Sequence, residues 1–249
     1  MKCKKIVILG LIAVVVLFHT GAVLGEDCIR VNQSSNAGKW NFMGLYKFGG
    51  TPATVTITRE NDGTSTCADA VKFVNVTTGT EYIVDNEGGG GTFSKTGSWT
   101  DSAGDDGWDP DIPGFSTKDS QKHSLYSDSV GDVATWSSNL PAGTYNFFAS
   151  WTDAGTRASK APYCIDGYSE SIIGVTSSAG TGGTIAPSGF TTYDAGDTPD
   201  YTITPNTDYV IYNVLVNGKS VYDDLVFSDG DATASATYTF PALDRAHII

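Results

Sequence analysis

The stretch VATWSSNLPAGTYNFFASWTDAGTRASKAPYCI (133–165) decides the fold. It reads as two β-strands joined at the Leu-Pro-Ala-Gly turn, residues 140–143. In TYNFFASW (144–151), Tyr145, Phe147, Ala149 and Trp151 fall on one face. That period of two is what a half-buried antiparallel strand requires. The same alternation recurs upstream. In TVTIT (54–58), Val55 and Ile57 face one way and three threonines the other. In WNFMGLYKF (40–48), strict alternation puts Trp40, Phe42, Tyr46 and Phe48 on one face, with Gly44 between them. Turn residues separate the runs at 60–63, 88–91 and 141–143. After residue 25 no long segment has helical spacing. Abundant Gly, Thr and Ser, 12 Tyr and only 17% charged residues point to all-β structure.

The N-terminus reads as an export signal. Lys2, Lys4 and Lys5 precede an apolar run from Ile6 to Phe18. That run has the length of a signal-peptide core and is too short for a membrane span, which needs about 20 residues. Val23 and Gly25 suit cleavage before Glu26. Residues 1–25 are therefore expected to be removed, leaving a secreted or cell-surface protein with no other membrane segment. Removal takes three lysines and no acidic residue, so the net charge of −13 becomes more negative still. Such a surface repels nucleic-acid phosphates and acidic membranes.

The motifs along residues 28–166 resemble the golvesin C-terminal domain and the related carbohydrate-binding region of xanthan lyases. That family opens on an Ile-Val-Asp-Asn strand and a Gly-Ser-Trp strand. It continues through Thr-Trp, Leu-Pro-x-Gly-x-Tyr and Arg-Ala-x-x-Ala-Pro-Tyr. Here these are IVDN (83–86), GSW (97–99), ATW (134–136), LPAGTY (140–145) and RASKAPY (157–163). The family's closing motifs are IRVNQ (29–33), GKWNFMGLYKF (38–48) and ADAVKF (68–73), and in this chain they come first. VNVTTGTE (74–81) joins the two halves. The resemblance implies a circularly permuted antiparallel β-sandwich over 26–168, jelly-roll-like and galactose-binding-like. A clipped copy followed by half a domain is the competing reading. A permutant avoids long unpaired edges and half a core. The resemblance also implies a non-catalytic module for polysaccharide or surface glycan, with no cofactor. A structural spacer, a protein-interaction module or an accessory fragment of a larger extracellular enzyme are the alternatives.

In the family's usual order, the Ala-Pro-Tyr strand runs directly into the V-x-V-x-Q strand. In this chain both segments lie at the new ends, and each carries a cysteine. Ile29 and Val31 point to the core, as do Tyr163 and Ile165, so Cys28 and Cys164 point away. Same-face cysteines on neighbouring antiparallel strands can meet disulfide geometry, and export makes oxidation feasible. A Cys28–Cys164 bridge is the expectation, with Cys67 as a buried free thiol. Cys28–Cys67 is the alternative pairing.

A turn-rich stretch at 167–174 precedes a different pattern. Residues 173–249 resemble the divergent B-type repeats of bacterial surface proteins, through GGTIAPSG (182–189) and ITPNTDYVIYNVLVNG (203–218). Asp208 stands where that pattern has Gly. Asn217-Gly218 signals a type I′ hairpin. The resemblance implies a small C-terminal β repeat domain, with a last strand that is short or truncated at Ile249.

Chemistry-bearing motifs are sparse. His123 lies in a polar loop, without a nucleophile motif to make it catalytic. Nothing marks out a glycosidase carboxylate pair, and no catalytic residue is assigned. The acidic loop TDSAGDDGWDPDIPG (100–114) gathers Asp101, Asp105, Asp106, Asp109 and Asp111 around Trp108. Asp105, Asp106, Asp109 and Asp111 could hold a structural Ca²⁺ through hard oxygen ligands; a solvated acidic loop is the simpler reading. Trp108 is the candidate sugar-stacking residue, because a Trp in a Gly-Asp loop has no evident core role. Phe115 and Tyr126 could flank it. Trp40, Trp136 and Trp151 read as core, and Trp99 as ambiguous.

Overall fold

The computed structural model describes residues 27–62, 65–102, 107–109, 114–115, 124–152, 154 and 156–249. The signal-peptide reading of residues 1–25 and the reading of His123 fall outside them. The described chain is all-β, with one short 3₁₀ turn at Tyr222–Asp224 and no α-helix.

The strands up to the 140–143 turn are β1 (Asp27–Val31), β2 (Asn41–Phe48), β3 (Pro52–Thr58), β4 (Thr66–Ala68), β5 (Ala70–Asn75), β6 (Glu81–Asp85), β7 (Thr92–Thr96), β8 (Thr100–Asp101), β9 (Trp108–Asp109), β10 (Gly114–Phe115), β11 (Leu125–Ser127) and β12 (Val133–Asn139). Then follow β13 (Gly143–Ala149), β14 (Ala161–Asp166) and β15 (Tyr168–Ser171). Two five-stranded sheets, in the orders β1-β14-β3-β12-β7 and β15-β2-β13-β5-β6, share one core. Every pairing within them is antiparallel. Strands from before and after the 74–81 connection pair with one another in both sheets. The two sequence halves therefore close around one interior and do not form two separate half-cores.

Alternation explains the core. Val55 and Ile57 on β3 are fully buried, and the threonines between them are half-buried. Tyr145, Phe147 and Ala149 on β13 are buried, with Phe147 stacked on Phe73 at 5.2 Å. Trp136 and Trp151 are buried as expected, and each satisfies its indole N–H. Trp136 donates to the Asp69 carbonyl and Trp151 to the Ser35 carbonyl. Burial of such large rings without an orphaned donor makes them major stabilising residues. Trp99 is also buried, donating to the Thr96 carbonyl.

β1 lies at a sheet edge on β14, with Cys28 directly opposite Cys164. The two form a disulfide, and Cys67 is a buried free thiol. Ile29 and Val31 pack on the core, as parity requires.

The rest of the chain forms smaller sheets. Its strands are β16 (Gly174–Ser177), β17 (Gly183–Ala186), β18 (Gly189–Thr192), β19 (Asp200–Pro205), β20 (Leu215–Val216), β21 (Lys219–Ser220), β22 (Val226–Phe227), β23 (Ala236–Thr239) and β24 (His247–Ile248). They assemble as β18-β16-β24, β17-β19-β23-β22 and the β20-β21 hairpin, over cores distinct from that of the sandwich. Asn217 and Gly218 carry φ of 51° and 77°, the left-handed pair that a type I′ turn requires. This unit packs on the outer face of β2 and β13. The Ile172 N–H donates to the Leu45 carbonyl, and Thr176 Oγ1 donates to Asn146 Oδ1. Leu45 is thereby buried although it points out of the sandwich.

Candidate binding site

The site begins with a break in alternation. Along β13, Phe147 opposes Gly44 but Phe148 opposes Phe42, so Met43 is an extra residue in β2. A bulge of this kind re-aims every side chain beyond it. Met43 turns into the core, while Phe42 turns outward with Phe148, their rings 5.6 Å apart. Trp40, two residues further, follows Phe42 outward. It is half-buried and stands outside the sandwich core. The reading of Trp40 as core is thus corrected: strict alternation through 40–48 fails at Met43.

On the outer surface Trp40 meets Trp108, with ring centroids 4.9 Å apart and planes at 47°. Trp108 itself is half-buried. Its backbone N–H donates to both carboxylate oxygens of Asp69, at 3.2 and 3.3 Å. Asp69 is fully buried and also accepts from Ser150 Oγ at 2.6 Å. A charge-assisted bond from an immobile carboxylate is a strong tether. Asp69 therefore fixes the loop that carries Trp108 to the sandwich core.

Lys72 on β5 completes the surface. Its ammonium lies 4.9 Å from the Trp40 ring and 5.3 Å from that of Phe148, and 3.1 Å from Glu81. Cation–π contacts are worth about 0.5–1 kcal/mol each at exposed sites and more where the cation is largely covered, as the Lys72 side chain is here. Trp108, Trp40, Lys72, Phe148 and Phe42 form one continuous strip. Chemically it offers aromatic faces, one cation and a carboxylate. No nucleophile with a paired general base stands among them.

Of the three residues singled out as sugar contacts, Trp108 is in the strip. Phe115 pairs with Trp108 through its backbone across β9 and β10, and its side chain lies outside the described residues. The Tyr126 ring lies 5.6 Å from the guanidinium of buried Arg157. Arg157 donates to Ser102 Oγ and Thr152 Oγ1, and the latter also meets Ser124 Oγ at 2.8 Å. Those contacts tie the ends of β8 and β11 to the core. Of the candidate calcium ligands, Asp105, Asp106 and Asp111 lie outside the described residues, as does the Asp109 side chain. Among the described residues no cluster of three or more His, Cys, Asp or Glu is arranged to hold a metal.

Sequence reasoning missed Trp40, Phe42, Phe148 and Lys72. Phe148 had the right parity, being out of phase with Tyr145 and Phe147. No signal in the sequence marks the bulge that brings Trp40 beside it. In comparisons with protein-family models, curated proteins and solved structures, no match to this chain was found.

Proposed function

We propose that the chain is a non-catalytic extracellular module that binds a polysaccharide or surface glycan on the Trp40–Trp108 strip. The observation that carries this reading is the pairing of two half-buried tryptophans on the outside of a sandwich whose other tryptophans are buried. Pyranose rings present apolar C–H faces, and exposed indoles are the side chains best suited to stack on them. The tether from Asp69 preorganises one of the rings, which lowers the ordering cost of binding. The golvesin-like motifs at both ends of the sandwich support the same reading. Export through residues 1–25 is part of the proposal. A disulfide, and the absence among the described residues of a helix long and apolar enough to span a membrane, are compatible with it.

The test is a glycan array probed with the wild-type chain, Trp108→Ala and Trp40→Ala. The expected result is binding to a defined glycan class that each substitution weakens about tenfold or more, the loss of about 1.4 kcal/mol. Retention of full binding in both variants would remove the strip from the account. Silence across the array would leave the chain as a spacer or protein-interaction module.

A further inference from the structure

Where the C-terminal unit meets the sandwich, a cleft of about 700 Å³ opens. Tyr209, Val210, Tyr212 and Leu215 line it, and they are four of the six large apolar side chains that the described residues leave exposed. Tyr212 is 91% exposed. Concentrated exposure of this kind marks an interaction surface. Gly182 helps to shape it: a Cβ at that position would overlap the Tyr209 ring, so the ring rests against the backbone there.

The lining contains no acidic or basic side chain, although the chain carries a net charge of −13. Its polar groups are hydroxyls and amides, among them Asn146 and Asn213. An anionic ligand would lose hydration here without gaining a counter-charge. A ligand that combines apolar faces with hydroxyls loses nothing comparable. Phe148 supplies the link, because it lines the cleft and also packs on Phe42 and beside Lys72 under Trp40. The cleft and the tryptophan strip are one surface running across both units, and the strip's cation, Lys72, is already paired with Glu81 at 3.1 Å.

We propose that this surface takes a single uncharged glycan chain, with sugar rings on Trp40 and Trp108 at one end and on Tyr209 and Tyr212 at the other. The proposal rests on the reading of the strip as a glycan site and adds the ligand's neutrality, its length and the second unit's part in holding it. The experiment is calorimetric titration of the full chain with cello-, manno-, xylo- and malto-oligosaccharides of graded length, with oligogalacturonides as the charged counterpart. Affinity for at least one neutral series should rise with length. Tyr212→Ala should weaken the longest member about tenfold, as loss of one stacked ring implies, and leave the shortest unchanged. Trp108→Ala should weaken both. A side chain as exposed as Tyr212 can be removed without disturbing the fold, and an unchanged melting temperature would verify that. If Tyr212→Ala matches wild type at every length, the extended site is wrong while the strip stands. Binding to oligogalacturonides alone would refute neutrality and keep the strip. Long neutral chains lost in Tyr212→Ala but retained in Trp108→Ala would keep the cleft and discard the strip. No binding to any series would overturn both. A dimer in sedimentation equilibrium that Tyr212→Ala dissociates would assign the cleft to a second copy and refute the glycan.

Discussion

The carboxylate of Asp69 accepts the backbone N–H of Trp108, and the carbonyl of the same residue accepts the indole N–H of Trp136. One buried residue thus connects a tryptophan of the core to one of the surface strip. Ser150 Oγ also donates to its carboxylate, and the Asn86 N–H to its carbonyl. Asp69→Ala would leave these side-chain bonds unmade, at about 1–3 kcal/mol for each orphaned buried group. We expect Asp69→Ala to lower stability in urea unfolding by about 2–4 kcal/mol, and to broaden the Trp108 indole signal in NMR spectra while that of Trp136 stays sharp. A Trp108 signal as sharp as in wild type would show that the loop is held by other means.

The Cys28–Cys164 bridge closes a sequence separation of 136 residues. The chain-entropy model gives such a loop roughly 5 kcal/mol, and typical measured values are about 2–4. β1 is an edge strand whose Ile29 and Val31 are only partly buried, so the bridge is its principal anchor. The double variant Cys28→Ser/Cys164→Ser should lose about 2–4 kcal/mol. Its β14 amides should exchange faster with solvent, because β1 detaches first. Non-reducing peptide mapping of secreted protein should recover this pair, with Cys67 alkylated only after unfolding. A bridge that contains Cys67 would refute the assignment.

What could be read from the sequence follows a physical divide. Alternation in β3 and β13 was visible because each residue's face depends only on its neighbours in the chain. The disulfide was anticipated by the same parity, given the strand order of the family that the motifs resemble. Trp40 was misread because a bulge is decided by the partner strand: only the pairing of Phe148 with Phe42 reveals Met43 as the extra residue. The contact of Tyr126 with Arg157 was hidden for a related reason. The two are 31 positions apart in sequence, and nothing local distinguishes a tyrosine under a guanidinium from one facing solvent. The cleft was invisible because it exists only where two separately folded cores meet.

Stability should fall with rising alkalinity. Burial raises the pKa of Tyr46, Tyr163, Tyr201 and Tyr238 above the ordinary phenol value; Tyr46 also faces Asp27, Tyr163 faces Cys67 and Asp69, and Tyr201 donates to or accepts from Tyr193. Below about pH 10 these phenols are protonated in both folded and unfolded chains, and their contribution to stability is fully present. Above it the unfolded chain releases protons that the folded chain retains, so unfolding is favoured as pH rises. The melting temperature should decline above about pH 10, with phenolate absorbance from these residues appearing together with the unfolding transition. Phenolate formation well before any loss of structure would contradict this. At the acid end His247 behaves in the opposite sense. Burial, then Arg245, lowers its pKa, and its Nδ1 accepts from the Asn217 amide. As pH falls below about 6.5 the unfolded chain takes up a proton that the fold resists. The C-terminal unit should therefore soften before the sandwich, and His247→Gln should flatten that acid limb.

Asp208 holds a φ of 69°, in the left-handed region. Its neighbour Tyr209 is seated against Gly182 and closes the turn by donating its N–H to the Asn206 carbonyl. An L side chain in that region costs up to about 1–2 kcal/mol in contact with its own peptide. Asp tolerates the region better than most residues, so part of that cost is already avoided. Glycine would remove the remainder but would lose more conformational entropy on folding, about 0.5–1 kcal/mol. The balance favours Asp208→Gly by about 0.5 kcal/mol, read as a small rise in the melting temperature of the C-terminal unit. Asp208→Val, with a β-branched side chain in the same conformation, should lower it by more than the glycine raises it. Both substitutions displace Tyr209 only if the turn itself opens, so glycan affinity should survive Asp208→Gly and weaken in Asp208→Val. A destabilised glycine variant would mean that the Asp208 side chain contributes more than its backbone conformation costs.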